Sequence, residues 1–165
     1  MLASLLLLSL CSCGEISDPP KIKEGEFNFS VTYSVNGELT TISGVYVCEY
    51  AGLSWSLEGG DFSRSWEGHV EGLEVSSPAK YLVGTTGDGG NIYIALDLVA
   101  AVFMGEPDIG DGEPACPYLF VEYTDETDET AHSYDGDELI EEQFGIKIVS
   151  YEYDEPIVNS YGYFK

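Results

Sequence analysis

Six carboxylates crowd one short stretch of this chain: Asp125, Glu126, Asp128, Glu129, Asp135 and Asp137. Carboxylate oxygens are the hard donors that Ca²⁺ takes, and a site needs roughly six to eight oxygens converging at about 2.3–2.6 Å. The spacing fits no EF-hand loop. Ca²⁺ is therefore a candidate ligand of these residues, and a solvated charge run is the competing reading. Glu106, Asp108, Asp111 and Glu113 form a second acidic group, also without ligand spacing. Paired carboxylates for glycoside hydrolysis must face each other at about 5 Å or about 6.5–9.5 Å, and among thirty acids the sequence selects no pair.

Other chemistry is no better supported. His69 and His132 are the only histidines, and neither has a His or Cys partner at zinc spacing. No GxSxG turn presents a serine nucleophile. No residue is assigned a catalytic role. Trp55 shares a strand face with Leu53 and Leu57 and reads as core. Trp66 lies between Ser65 and Glu67 beside Arg64 and reads as exposed, a candidate platform for a ligand such as a glycan or peptide.

The charge balance excludes one partner class. Thirty acids against six bases give a formal net charge of −24. Binding of nucleic acid needs clustered Lys and Arg, and none are clustered here. Between Lys80 and Lys147 the chain holds sixteen acids and no base. Such a surface suits solubility, basic proteins and divalent cations.

The elements that must position these groups are strands. Phe27, Phe29, Val31 and Tyr33 alternate with polar residues, the period of a half-buried strand. Asn36-Gly37 follows, a pair suited to a two-residue hairpin turn. The partner strand runs from Glu38 with Gly44 as a bulge or bend, and continues from Val45 to Tyr50. Further strands are predicted around Leu53–Leu57, Trp66–Val70, Tyr81–Thr85, Tyr118–Tyr123 and Ile146–Tyr153. Ile92, Ile94, Leu96 and Leu98 share the face of another. One short helix is predicted over residues 137–144, stopped by Gly145. The pattern predicts an all-β fold: an antiparallel β-sandwich, immunoglobulin-like or similar.

The first residues carry a different signal. Met1 to Leu10 read MLASLLLLSL, an apolar run without Lys or Arg, about as long as a signal-peptide core and too short to span a bilayer. Leu10-Cys11-Ser12-Cys13 resembles the lipobox of bacterial lipoproteins. The resemblance covers about the first fourteen residues. It implies cleavage after Ser12, removal of residues 1–12 as a signal peptide, and diacylglycerol on the thiol of Cys13. Residues 13–25, with Pro19-Pro20, read as a tether, and a single acidic domain is expected over residues 26–165.

Cys11 leaves with the signal peptide on this reading and Cys13 is lipidated, so Cys48 and Cys116 remain. They form either one disulfide or two separate thiols, one of them buried in the Val45–Tyr50 strand. The combined expectation is a lipoprotein of the bacterial envelope, held outside the membrane by its anchor. It would act as a non-catalytic binding or structural module for a basic protein, a glycan or a divalent cation. The alternatives are a carboxylate-dependent envelope hydrolase, or an acidic inhibitor of a basic envelope partner.

Overall fold

The computed structural model describes residues 19–55, 62–106, 116–124 and 131–161. Among these described residues eight strands form two four-stranded antiparallel sheets that close on one core. The expected sandwich class is what the chain adopts.

The first hairpin follows directly from the residue pattern. β1 (Glu24–Val35) buries Phe27, Phe29, Val31 and Tyr33 on one face. Asn36 and Gly37 both take positive φ, 51° and 87°, and Val35 pairs with Glu38 across the turn. β2 (Glu38–Trp55) then pairs, from Glu38 to Glu49, with all of β1 and without a register shift. Gly44 is therefore not a bulge. It faces inward where a Cβ would lie 2.8 Å from the Glu71 carbonyl oxygen and 2.9 Å from the Phe29 ring. The break in β2 comes later, between Tyr50 and Gly52, where its pairing with β3 (Phe62–Glu71) shifts. Beyond it Leu53 is 42% exposed, so the expected core role of that segment fails for Leu53.

The second sheet is a meander of β4 (Lys80–Thr85), β5 (Asn91–Ala95), β6 (Tyr118–Thr124) and β7 (Ala131–Asp135). Ile92, Ile94, Leu119 and Val121 point from it into the core. Burial of each such side chain contributes about 1.5–3 kcal/mol. β5 is shorter than expected. It ends at Ala95: Leu96 still donates its N–H to the Ala79 carbonyl opposite it, and then Asp97 turns the chain at φ 50°. One turn of helix follows, α1 (Ala100–Phe103), which the sequence reading did not anticipate. It drives Phe103 into the core against Phe27, Tyr46 and Tyr153, at centroid distances of 4.9, 5.6 and 6.2 Å.

α2 (Asp137–Phe144) is the expected short helix, with Ile140 buried and Gly145 closing it in the left-handed region. It carries the chain back to β8 (Ile146–Tyr153), which joins the first sheet beside β1. The sheet orders are β3-β2-β1-β8 and β4-β5-β6-β7. Each sheet is built mainly from consecutive strands. The immunoglobulin order, which interleaves early and late strands between sheets, is not the one adopted.

Both ends of the described chain pack onto this body. Pro20 is buried and bridges to Tyr161, so the folded unit starts before Glu26 and takes in the end of the expected tether. Asn159 accepts from the Ile22 N–H and donates to the Ile22 carbonyl, at 3.1 and 2.8 Å. Residues 1–18, including the expected signal peptide and Cys13, lie outside the described residues. No helix among the described residues is long and apolar enough to cross a membrane.

Candidate functional site

A cleft lies where β8 leaves the first sheet. It encloses about 820 Å³, within the range of ligand pockets, and opens widely to solvent. Its position follows from strand register. Phe29, Ser30 and Val31 of β1 pair with Tyr153, Glu152 and Tyr151 of β8. A bulge between Thr32 and Tyr33 of β1 and the matching segment of β8 shifts this end of the ladder. Tyr151 sits opposite the fully buried Val31, yet is itself 42% exposed. Its ring centroid lies 5.7 Å from that of Tyr153, and its hydroxyl is 2.8 Å from Cys116 Sγ.

The acids of the cleft come from the strand end and the turn after it. Asp154 is fixed: its Oδ2 accepts from the Asn28 backbone N–H at 2.7 Å and from Asn28 Nδ2 at 2.8 Å. Glu152 and Glu155 are exposed. Asn28, Ser30, Ser43 and Pro156 complete the lining together with Cys116, and among the described residues that line it there is no Lys, Arg or His. Tyr153 closes the inner side. Its hydroxyl donates to the Leu96 carbonyl at 3.0 Å, and burial, with smaller contributions from Asp97, Tyr151 and Cys116, pushes its pKa above the usual tyrosine value.

This lining suits binding by charge and ring contact. Asp88 and Glu106 carry carboxyls held below the ordinary carboxylate value, and both lie outside the cleft lining. Asp88 is held down mainly by the Thr86 hydroxyl, which donates to it.

The residues singled out in the sequence scatter. Asp125, Glu126, Asp128 and Glu129 lie outside the described residues. Asp135 ends β7 in register with Phe120. Asp137 opens α2, and its Oδ1 accepts the Leu119 N–H at 2.8 Å. Among the described residues no three acid, His or Cys side chains converge as a metal site. Cys48 and Cys116 are both free thiols, so the disulfide alternative is not realised. Cys48 is wholly buried on the inner face of β2, and burial pushes its pKa up to about 12. His69 is exposed beside Glu71 at 3.4 Å.

Trp66 corrects the expectation most clearly. It is half-buried against the core, its ring meets Tyr50 edge-on at 5.4 Å, and its Nε1 donates to Glu106 at 3.1 Å. The inner row of β3 is Arg64, Trp66, Gly68 and Val70. Arg64 is buried too, held by Glu106 through Nε at 2.8 Å and through Nη2 at 2.5 Å, with its guanidinium 4.1 Å from the Tyr161 ring centroid. Side chains of the pair are 7% and 6% exposed. Burial alone would raise the Glu106 carboxyl, but hydrogen bonds from Arg64 and Trp66 and the Arg64 charge outweigh it and hold the pKa below the usual value. This cluster fastens α1 and the chain end to β3, which is a structural task.

The second sheet carries an aromatic row on its outer face. Tyr93 and Phe120 stack at 5.6 Å, Lys80 lies 5.1 Å from the Tyr93 centroid, and Lys80 pairs with Glu122 at 2.8 Å. Here one of the six bases is spent neutralising an acid beside rings, so this face already holds its own cation.

Sequence reasoning missed the cleft residues Tyr151, Glu152 and Asp154. A signal existed: the TyrGluTyrAspGluPro run at 151–156 interleaves rings and acids and ends on a proline. Comparison of the chain with protein-family models, with curated proteins and with solved structures gives no match.

Proposed function

We propose that this chain is a lipid-anchored, extracytoplasmic binding module that performs no catalysis, and that the cleft beside β8 is its ligand site. The single observation that carries the binding role is that cleft: ligand-sized, tyrosine-lined and acidic, with no Lys, Arg or His among its described lining residues. The anchor rests on the Leu10–Cys13 layout. No charged residue lies before Cys13, so the processed protein keeps all thirty acids and six bases.

The tether is short on this reading. From Cys13 to the buried Pro20 the backbone spans at most roughly 25 Å. The domain is thus held close to its bilayer, and its excess negative charge repels anionic headgroups within a Debye length of about 8 Å. A lipid-held acidic module presents its cleft to envelope partners and stays off the membrane surface.

Two measurements test the reading. The wild-type chain is expected in the detergent phase on cloud-point separation, and Cys13→Ser in the aqueous phase. Panels of glycoside, peptide and ester substrates are expected to give no turnover. Turnover that Glu152→Gln or Asp154→Asn abolishes would replace binding by carboxylate catalysis.

A further inference from the structure

We propose that two copies of this chain pair edge to edge through β3, antiparallel, about a two-fold axis at Gly68; the inference stands apart from the β8 cleft and from the anchor. Four strands form the outer edges of the two sheets: β3, β8, β4 and β7. An outer edge is a template for a further strand, and a bulge is one device that blocks it. β8 carries that device. Thr32 pairs with Ser150 and Tyr33 with Ile148, which leaves Val149 as an extra residue. β4 carries it too, with Val83 extra between the pairs of Leu82 and Gly84. β7 has only five residues. β3 has ten, and the extra residue in its ladder, Ala51, belongs to β2. The longest of the four edges therefore runs without a bulge.

The middle of that edge is open. Glu67, Gly68 and His69 are all exposed, and no described strand pairs with β3 on the side away from β2. Gly68 has no side chain to shield its backbone, and packing keeps it so. A Cβ there would overlap the Tyr46 hydroxyl, which donates to the Leu98 carbonyl at 3.1 Å. Beside Gly68 lies a groove of about 410 Å³, where Val70, Val75, Ala79 and Leu98 are only partly buried against the core. An axis at Gly68 sets the two grooves side by side, so each copy covers apolar surface of the other.

Charge selects the register and the occupant. The outer row of β3 is Ser65, Glu67, His69 and Glu71. Centred on Gly68, Glu67 of each copy stands opposite His69 of the other, Ser65 opposite Glu71, and on the inner row Trp66 opposite Val70. Centred on Glu67, that acid would face its own copy. Centred on His69, Glu67 would face Glu71. Like charges directly opposite destabilise a pair and unlike partners support it. The Gly68 register thus sets no acid against an acid over Ser65–Glu71, a contact about 24 Å long. The His69 ring can turn to the new partner, because its contact with Glu71 is 3.4 Å and both side chains are more than half exposed. Bodies of net charge −24 repel at long range, so pairing is expected at about 0.15 M salt or above, where the Debye length is about 8 Å or less.

The test uses the full chain in detergent, with micelles in large excess over protein, and sedimentation at about 100 μM protein to read the oligomeric state. Thermal melts establish that each variant folds. The wild type is expected to be dimeric. His69→Glu sets two acids against Glu67 and should raise the dimer Kd about 10-fold or more. Glu67→Lys combined with His69→Glu reverses both partners and should restore the dimer. Leu39→Glu adds the same charge at a residue 65% exposed beside the Asn36-Gly37 turn and should leave the dimer intact. A second readout fixes the register. In a Cys116→Ser background, Glu67→Cys and His69→Cys chains should crosslink when mixed under mild oxidation, and each alone should not, because directly opposite residues lie about 4.5–5.5 Å apart at Cα, within disulfide reach.

A monomeric wild type would overturn the proposal. So would a dimer that His69→Glu leaves intact, or one that Leu39→Glu disrupts equally, since the first places the contact elsewhere and the second makes it a matter of net charge. Failure of the charge reversal to restore pairing, or crosslinking within either single-cysteine population as fast as in the mixture, would overturn the Gly68 register.

Discussion

Glu106 and Arg64 show how a buried charge becomes tolerable. Neither is exposed beyond a tenth, and the pair survives because Arg64 donates through two nitrogens and Trp66 adds a third donor. Removing one partner leaves the other charge stranded. Arg64→Ala is expected to cost about 3–5 kcal/mol in urea unfolding, with Glu106→Gln also destabilising. The pH sign follows from the lowered carboxyl. Its stabilisation is complete above the unfolded carboxyl pKa and is lost as pH falls through the lower folded value. Stability therefore declines on acidification, and Glu106→Gln should flatten that part of the pH–stability curve. The thiols give a second check. Cys116 is exposed and Cys48 is buried with its pKa pushed up to about 12. Alkylation of the native protein followed by peptide mapping should find Cys116 modified and Cys48 protected until denaturant is added. Rapid native labelling of Cys48 would contradict the packing of β2.

At the scale of elements, the glycines of the first hairpin separate two kinds of cost. Gly37 takes φ 87° with open space around it, so Gly37→Ala should lose about 1 kcal/mol from backbone strain alone. Gly44 has no positive φ but is enclosed by Glu71 and Phe29, so Gly44→Ala should lose about 1–3 kcal/mol through overpacking. Urea melts of the two variants compare these costs directly. The hairpin also marks what could be read in advance. The alternation of β1, the Asn36-Gly37 turn and the Gly145 stop of α2 are local signals, and the fold follows all three. Gly44, α1 and Trp66 were misread because their roles are set by distant residues. Gly44 is glycine because of Glu71 and Phe29. Trp66 faces inward because Arg64, which resembles a surface base in sequence, is buried by Glu106 some forty positions away. The cleft was missed for the same reason: β8 meets β1 only in the folded sheet.

Over the whole molecule, topology and charge act together. Each sheet is completed mainly by neighbouring strands, and β8 alone returns from the far end of the chain to close the first sheet. That return creates the cleft at the edge of the sandwich and leaves it ringed by acids in a chain of net charge −24. Antiparallel order was predictable from alternation and turns, whereas β7 and the sheet to which β8 returns were not. The account's central claim is that this acidic binding body is fixed to a bilayer at Cys13. Intact-mass analysis of the protein purified from its membrane tests it most directly. The account predicts a chain that begins at Cys13 and carries diacylglycerol on that sulfur. A product that retains Met1–Ser12, or that bears an unmodified thiol at position 13, would contradict it.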